Sequence, residues 1–222
     1  MTKLMFAVHG GTPGERLLSA DFRMRLAAAG VGAVQVNLDD DAVAAAMRFG
    51  PGKPVTALLS LWTDEVDAAL AVVRDAVESS AVDAYRVTER VRLDPAPVPD
   101  GTRSDVLAQV ALLRRPAEMS REEYLAYWML EHTPIAIRTQ ATTAYVQNIV
   151  DEILTPGSPE LAAIVEEHFP MAAMTDQHAF YGSRGDEAEL RRRMTELMES
   201  VARFGADTGL DLVPTSRYAW SL

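Results

Sequence analysis

The residues best placed for chemistry lie in the stretch Ser120 to Gln147, SREEYLAYWMLEHTPIAIRTQATTAYVQ, where an aromatic helix ends in a histidine and a strand then carries Tyr145 and Gln147. Projected at 100° per residue, Tyr124, Leu125, Trp128 and His132 fall on one stripe, so His132 is expected to face a sheet or a cavity rather than bulk water. An imidazole has an ordinary pKa of about 6.5 and can exchange a proton near neutral pH. The plainer alternative is a helix-end histidine bonded to a last-turn carbonyl. Ser120 and Glu123 form a capping-box signature, while Pro134 disfavours helical geometry at Thr133, so the helix is expected to run over 120–133 and stop. If Val146 and Val150 take the helix side of the strand, Tyr145 and Gln147 face a barrel interior. There their hydroxyl and amide could hold a ligand oxygen.

Glu166 and His168 lie two apart and share a strand face, and His178 could approach from the following loop. With His132 they offer nitrogen and oxygen donors, but the spacing matches no metal signature and no metal is assigned. Gly10-Gly11-Thr12-Pro13-Gly14 lacks the lysine and glycine spacing of a phosphate loop and reads as a turn. No nucleophile elbow, paired-histidine zinc motif or dinucleotide fingerprint occurs. The chain has no cysteine, which excludes thiolate nucleophiles, disulfides and cysteine-held metals and fits a cytoplasmic setting. Its 32 acidic and 21 basic residues give a net charge of -11, which argues against nucleic-acid and anionic-membrane partners. Arg191-Arg192-Arg193 sits among glutamates and reads as a solvated face. No apolar run reaches about 18 residues, and MTKLMFAVHGG is too short for a signal sequence and is expected to be a first strand.

The elements that must position these residues recur in one order. Strands are expected at 3–9, 31–38, 53–62 and 82–93, with helices at 14–29 and 64–79. After the proline-rich stretch Asp94 to Thr102 come strands at 105–115, 142–150, 161–169 and 213–221, with helices at 120–133 and 187–204. Asp186 and Glu189 suggest a capping box for the last helix. The pattern is β-α-β-β-α-β twice. It divides the chain into an N-terminal unit 1–93, a linker 94–102 and a C-terminal unit 103–222. The fold class is therefore α+β, two tandem ferredoxin-like units whose bare sheet faces pack together as a barrel. The first helix ends Leu26-Ala27-Ala28-Ala29-Gly30, without an equivalent of His132, so the N-terminal unit is expected to carry a degenerate site.

The capped helix with Tyr127-Trp128, the His132 and Pro134 that close it, and Tyr145-Val146-Gln147-Asn148 together resemble the EthD family of dimeric α/β-barrel proteins, over residues 105–222. Ile164 to Phe169 resembles that family's third strand, which has an aromatic residue where His168 stands. The resemblance implies a small-molecule pocket with His132 as catalytic acid or base and Tyr145 and Gln147 as ligand contacts. Trp128, Glu166 and His168 are further ligand candidates. The expected function is binding, and transformation without a bound cofactor, of a small hydrophobic or aromatic molecule by oxygenase, decarboxylase, isomerase or dehydratase chemistry. The alternatives are a non-catalytic ligand-binding or stress-related protein and, third, haem handling. A homodimer of the two-unit chain is the assembly to look for.

Overall fold

A computed structural model describes residues 1–77 and 81–222. The first half comprises β1 (Thr2–His9), α1 (Gly14–Leu17), α2 (Ala20–Ala28), β2 (Ala33–Leu38), β3 (Val55–Thr63), α3 (Val66–Val77) and β4 (Ala81–Leu93). The single helix expected over 14–29 is broken because the Ser19 hydroxyl accepts from the Phe22 amide and starts a new helix there. Similarly, the Thr63 hydroxyl accepts from the Glu65 amide, so α3 begins at Val66 rather than 64. The expected end of that helix, 78–79, lies outside the described residues.

The second half comprises β5 (Leu107–Leu113), α4 (Arg121–Ala126), a π-helical turn (Tyr127–His132), α5 (Thr133–Thr139), β6 (Ala144–Ile153) and β7 (Ala163–Phe169). It closes with α6 (Gln177–Tyr181), α7 (Glu187–Arg203), α8 (Ala206–Gly209) and β8 (Leu210–Ser221). The capping box forms at α4, with Ser120 accepting from the Glu123 amide and the Glu123 carboxylate accepting from the Ser120 amide. At α7 only half of the expected box forms. Asp186 caps the first turn, but Glu189 turns to Arg192 and Arg193 instead.

The helix expected to stop at Thr133 continues to Thr139. Proline has no N–H and its ring crowds the carbonyl one turn back, so an unbroken α-helix through Pro134 would be costly. The widened π turn resolves this, because the Thr133 amide reaches back to the Trp128 carbonyl, which also receives the Thr133 hydroxyl at 2.8 Å.

All eight strands close into one antiparallel barrel in the order β1-β3-β2-β8-β5-β7-β6-β4. The two halves, expected to pack sheet against sheet, join edge to edge. β4 pairs with β6, with register shifts after Arg86 and Val91, and β2 pairs with β8, so among the described residues the barrel closes on itself. Met5, Leu58, Tyr85, Val87, Val110, Leu112, Val150, Ile164 and Val213 fill the barrel from both halves. Outside it, Leu17, Phe22, Leu26, Leu59, Leu61 and Val73 fill the space under the N-terminal helices. Tyr124, Trp128, Tyr145, Val165, Leu197 and Phe204 lie under the C-terminal ones. Among the described residues no helix is long and apolar enough to cross a membrane.

One polar cluster interrupts the barrel core. Glu166 receives the Gln35 amide at 2.5 Å and His168 Nε2 at 2.6 Å, and lies 3.3 Å from Arg217 Nε, which also donates to Gln35 at 2.9 Å. Burial alone pushes the Glu166 carboxyl up, but the His168 hydrogen bond and the charges of His168, Arg217 and Lys3 outweigh it and hold Glu166 at about 2. Because this lies below the ordinary value of 4.5, the carboxylate stabilises the fold above pH 4.5 and that contribution is lost as pH falls toward 2. Replacing Arg217 by leucine leaves a buried carboxylate short of a cation. Urea unfolding at pH 7 is expected to show a loss of about 3 kcal/mol; a loss within about 0.5 kcal/mol, as for an ordinary surface residue, would contradict the pairing.

Candidate functional site

Alternation along β6 sends Tyr145, Gln147 and Ile149 toward the helices and Val146 and Val150 into the barrel. This reverses the expected sides for Tyr145 and Gln147. Both faces of a barrel strand are buried, so the polarity of the side chains cannot choose between them. The cross-strand register decides. Val146 sits opposite Glu166, which is tied to the barrel cluster, so Tyr145 must sit opposite Glu167 on the outer face.

On that face, β5, β7 and β6 present one polar rung, Gln109 opposite Glu167 opposite Tyr145. Above it lies a cavity of about 190 Å³ between sheet and helices, lined by these three residues with Trp128, His132 and Phe204. The π turn supplies Trp128 and His132, both buried. His132 Nδ1 lies 3.0 Å from the Ser200 hydroxyl, which is 3.3 Å from the Tyr127 hydroxyl, and its ring packs 4.7 Å from that of Phe204. Its partner is therefore a side chain of α7 and not a last-turn carbonyl. Burial lowers the His132 pKa to about 4, so the ring is neutral at pH 7. Serine can donate or accept. It can thus set Nε2 as either a hydrogen-bond donor or a proton acceptor toward a ligand.

Glu167 has the opposite character. The residue is half-buried and lines the cavity, and its Oε1 is buried with no hydrogen-bond partner. Burial pushes its pKa up to about 7, with the Thr142 hydroxyl pulling the other way. Burial, and next the charge of Glu167, also pushes the Tyr145 phenol up, so it remains a hydrogen-bond donor at neutral pH. The site thus pairs a carboxyl that changes charge near neutrality with a neutral imidazole and a neutral phenol.

Of the residues singled out in the sequence, the structure brings together His132, Trp128 and Tyr145. Gln147 is fully buried, lies outside the cavity lining and donates to the Thr133 hydroxyl at 2.8 Å, fastening α5 to the sheet. Glu166 and His168 share a face as expected, but it is the barrel face, across the sheet from His132. His178 bonds Ser183 at 2.6 Å and Glu187 at 3.3 Å on the periphery, so the four proposed donors do not converge. Glu167, Gln109 and Ser200 join the site without being among the candidates that the sequence offers. Two adjacent carboxylates on a buried strand must take opposite faces, which was the available signal for Glu167. Ser200 interrupts the apolar stripe Leu197, Val201, Phe204 of α7, and a hydroxyl in such a stripe asks for a partner.

No family model matches the chain, and no curated protein matches it in sequence. Solved structures do match in shape. An anthrone oxidase-like protein aligns over 99% of this chain and 92% of its own, with 11% identity and a TM-score of 0.60. A monooxygenase-like protein from Fusobacterium nucleatum subsp. nucleatum aligns over 99% and 93%, with 8% identity and a TM-score of 0.50. The shared fold is a mixed α+β fold with an eight-stranded antiparallel barrel. Identities this low establish the shared barrel and leave the activity to be argued from the cavity.

The raised pKa of Glu167 has a measurable consequence. Its folded value of about 7 exceeds the ordinary 4.5, so its stability contribution is complete below pH 4.5 and is lost as pH rises through 7. The Glu167→Gln variant removes that loss. Relative to its value at pH 4.5, the variant should gain up to about 3 kcal/mol over the parent by pH 8 in urea unfolding, whereas a pH-independent difference would place the carboxyl in ordinary solvent.

Proposed function

We propose that the chain binds a small aromatic or hydrophobic molecule in the cavity above the Gln109, Glu167 and Tyr145 rung and oxidises it without a bound cofactor. The observation that carries this is the Glu167 carboxyl, poised near neutrality with its Oε1 buried and without a hydrogen-bond partner, beside an apolar, aromatic wall. Above pH 7 the carboxylate is the base that takes a proton from a phenolic O–H, or from an acidic C–H beside an aromatic carbonyl. Gln109, Tyr145 and neutral His132 are the groups available to hold the oxygen on which charge develops. The electron-rich anion is then the reductant for dioxygen. For a ring CH2 the balance is CH2 and O2 giving C=O and H2O, one oxygen atom going to product and the other to water. The shared shape with anthrone oxidase-like and monooxygenase-like proteins supports this class.

The reading of the barrel as two fused ferredoxin-like units, 1–93 and 103–222, is supported by the strand order, which runs β4-β1-β3-β2 in one half and β8-β5-β7-β6 in the other. A second functional reading, ligand binding without turnover, is favoured by the many aliphatic side chains of the lining, among them Leu113, Val165, Leu197 and Leu210. Oxygen uptake separates the two. With a panel of one- to three-ring phenols and ketones, uptake should rise with pH through about 7, and Glu167→Gln should lower the rate at least about 100-fold while the dissociation constant stays within about threefold. Ligands that bind and are recovered unchanged at every pH would establish the binding role instead.

A further inference from the structure

The cavity belongs to the C-terminal half, yet two of its lining residues, Met47 and Phe49, come from the N-terminal half. They lie on the connection between β2 and β3. Phe49 makes a two-bond bridge to Leu212 of β8, at 3.4 Å and 2.7 Å, outside the barrel ladders. Just before it, Val43 and Ala46 are buried against Leu107, Phe169 and Ala173 of the other half, and Arg48 pairs with Asp39 at 2.8 Å. The segment is thus fastened on both sides of Met47, which leaves its side chains as the movable parts.

Exposure separates these residues from the rest of the lining. Met47 is 64% exposed, Phe49 47% and Met198 of α7 47%, whereas Trp128 is fully buried and His132 is 7% exposed. Large apolar side chains gathered at one opening mark a place where an apolar ligand enters or is covered. Size then sets a limit. An enclosed apolar cavity of about 150 Å³ accepts a benzene ring, so about 190 Å³ takes more than one ring only if the ligand fits closely beneath the mouth. Methionine bends around a ligand, but a phenyl ring with two side-chain torsions does not. Phe49 is therefore the stiff part of the opening.

We infer that the N-terminal half supplies the lid of the C-terminal cavity and that Phe49, flanked by Met47 and Met198, restricts the ligand to about two fused aromatic rings. This rests on the cavity being the ligand site proposed above. It also gives the N-terminal half a part in selectivity, because the cavity lining is incomplete without Met47 and Phe49.

Equilibrium dialysis of 1-naphthol and anthrone, with two and three fused rings, tests the limit on the whole chain. The parent should bind 1-naphthol more tightly. Phe49→Ala should tighten anthrone binding about tenfold while 1-naphthol stays within about threefold, and Phe49→Trp should weaken 1-naphthol. Thermal unfolding of both variants shows that they are folded; the half-exposed phenyl is not part of any core cluster, and its bridge to Leu212 uses backbone atoms alone. If the parent binds 1-naphthol and neither Phe49 variant changes either affinity, the lid is overturned and the cavity reading stands. Equal parent affinity for the two probes overturns the size limit. Failure of the parent to bind either probe overturns the cavity reading, and the lid with it.

Discussion

A charged carboxylate at the middle of a closed barrel cannot stay there alone. Glu166 is held by Gln35 from one half and His168 and Arg217 from the other, and removing any partner leaves a desolvated charge. That requirement fixes which face of β7 looks inward. Because side chains alternate, the next residue, Glu167, is sent through the wall of the barrel to the helix side. Two neighbouring glutamates, each ordinarily near 4.5, are thereby driven to about 2 and about 7. One is a permanent charge that ties the halves together, and the other can change charge at neutral pH. Such a separation of titratable neighbours is the usual way a fold creates an acid or base without a cofactor.

The helix above this strand shows the same dependence of site on local chemistry. Pro134 would break an α-helix, and the π turn that accommodates it places Trp128 and His132 over the polar rung. Gln147 then binds the Thr133 hydroxyl, which in turn binds the Trp128 carbonyl, so the turn is stapled to β6. Ser200 reaches across from α7 to orient the imidazole. The cavity lining combines aromatic rings with the Glu167 carboxyl, whose Oε1 has no hydrogen-bond partner.

Much of this was legible in the sequence where one face of an element is polar. The order of elements, the Ser120 capping box and the apolar stripe carrying Trp128 and His132 all follow from period and capping chemistry. Legibility failed where both faces are buried. Nothing in Tyr145-Val146-Gln147 says which side is the barrel, and only pairing with Glu166, set by a residue 131 positions away, decides it. The expectation of Gln147 as a ligand contact rests on a barrel-facing side chain and on the family resemblance, whereas the structure turns its amide toward the helices and the Thr133 hydroxyl. Pro134 reads as a stop because α-helical sterics alone forbid continuation, and a π turn lies outside that rule.

The opposed fates of Glu166 and Glu167 are most directly tested by a carboxyl carbon NMR titration with the two side chains assigned. Glu167 should titrate near 7, with Glu166 staying ionised down to about pH 2. Two midpoints close to the ordinary 4.5 would mean that neither the barrel cluster nor the enclosed carboxyl exists in solution.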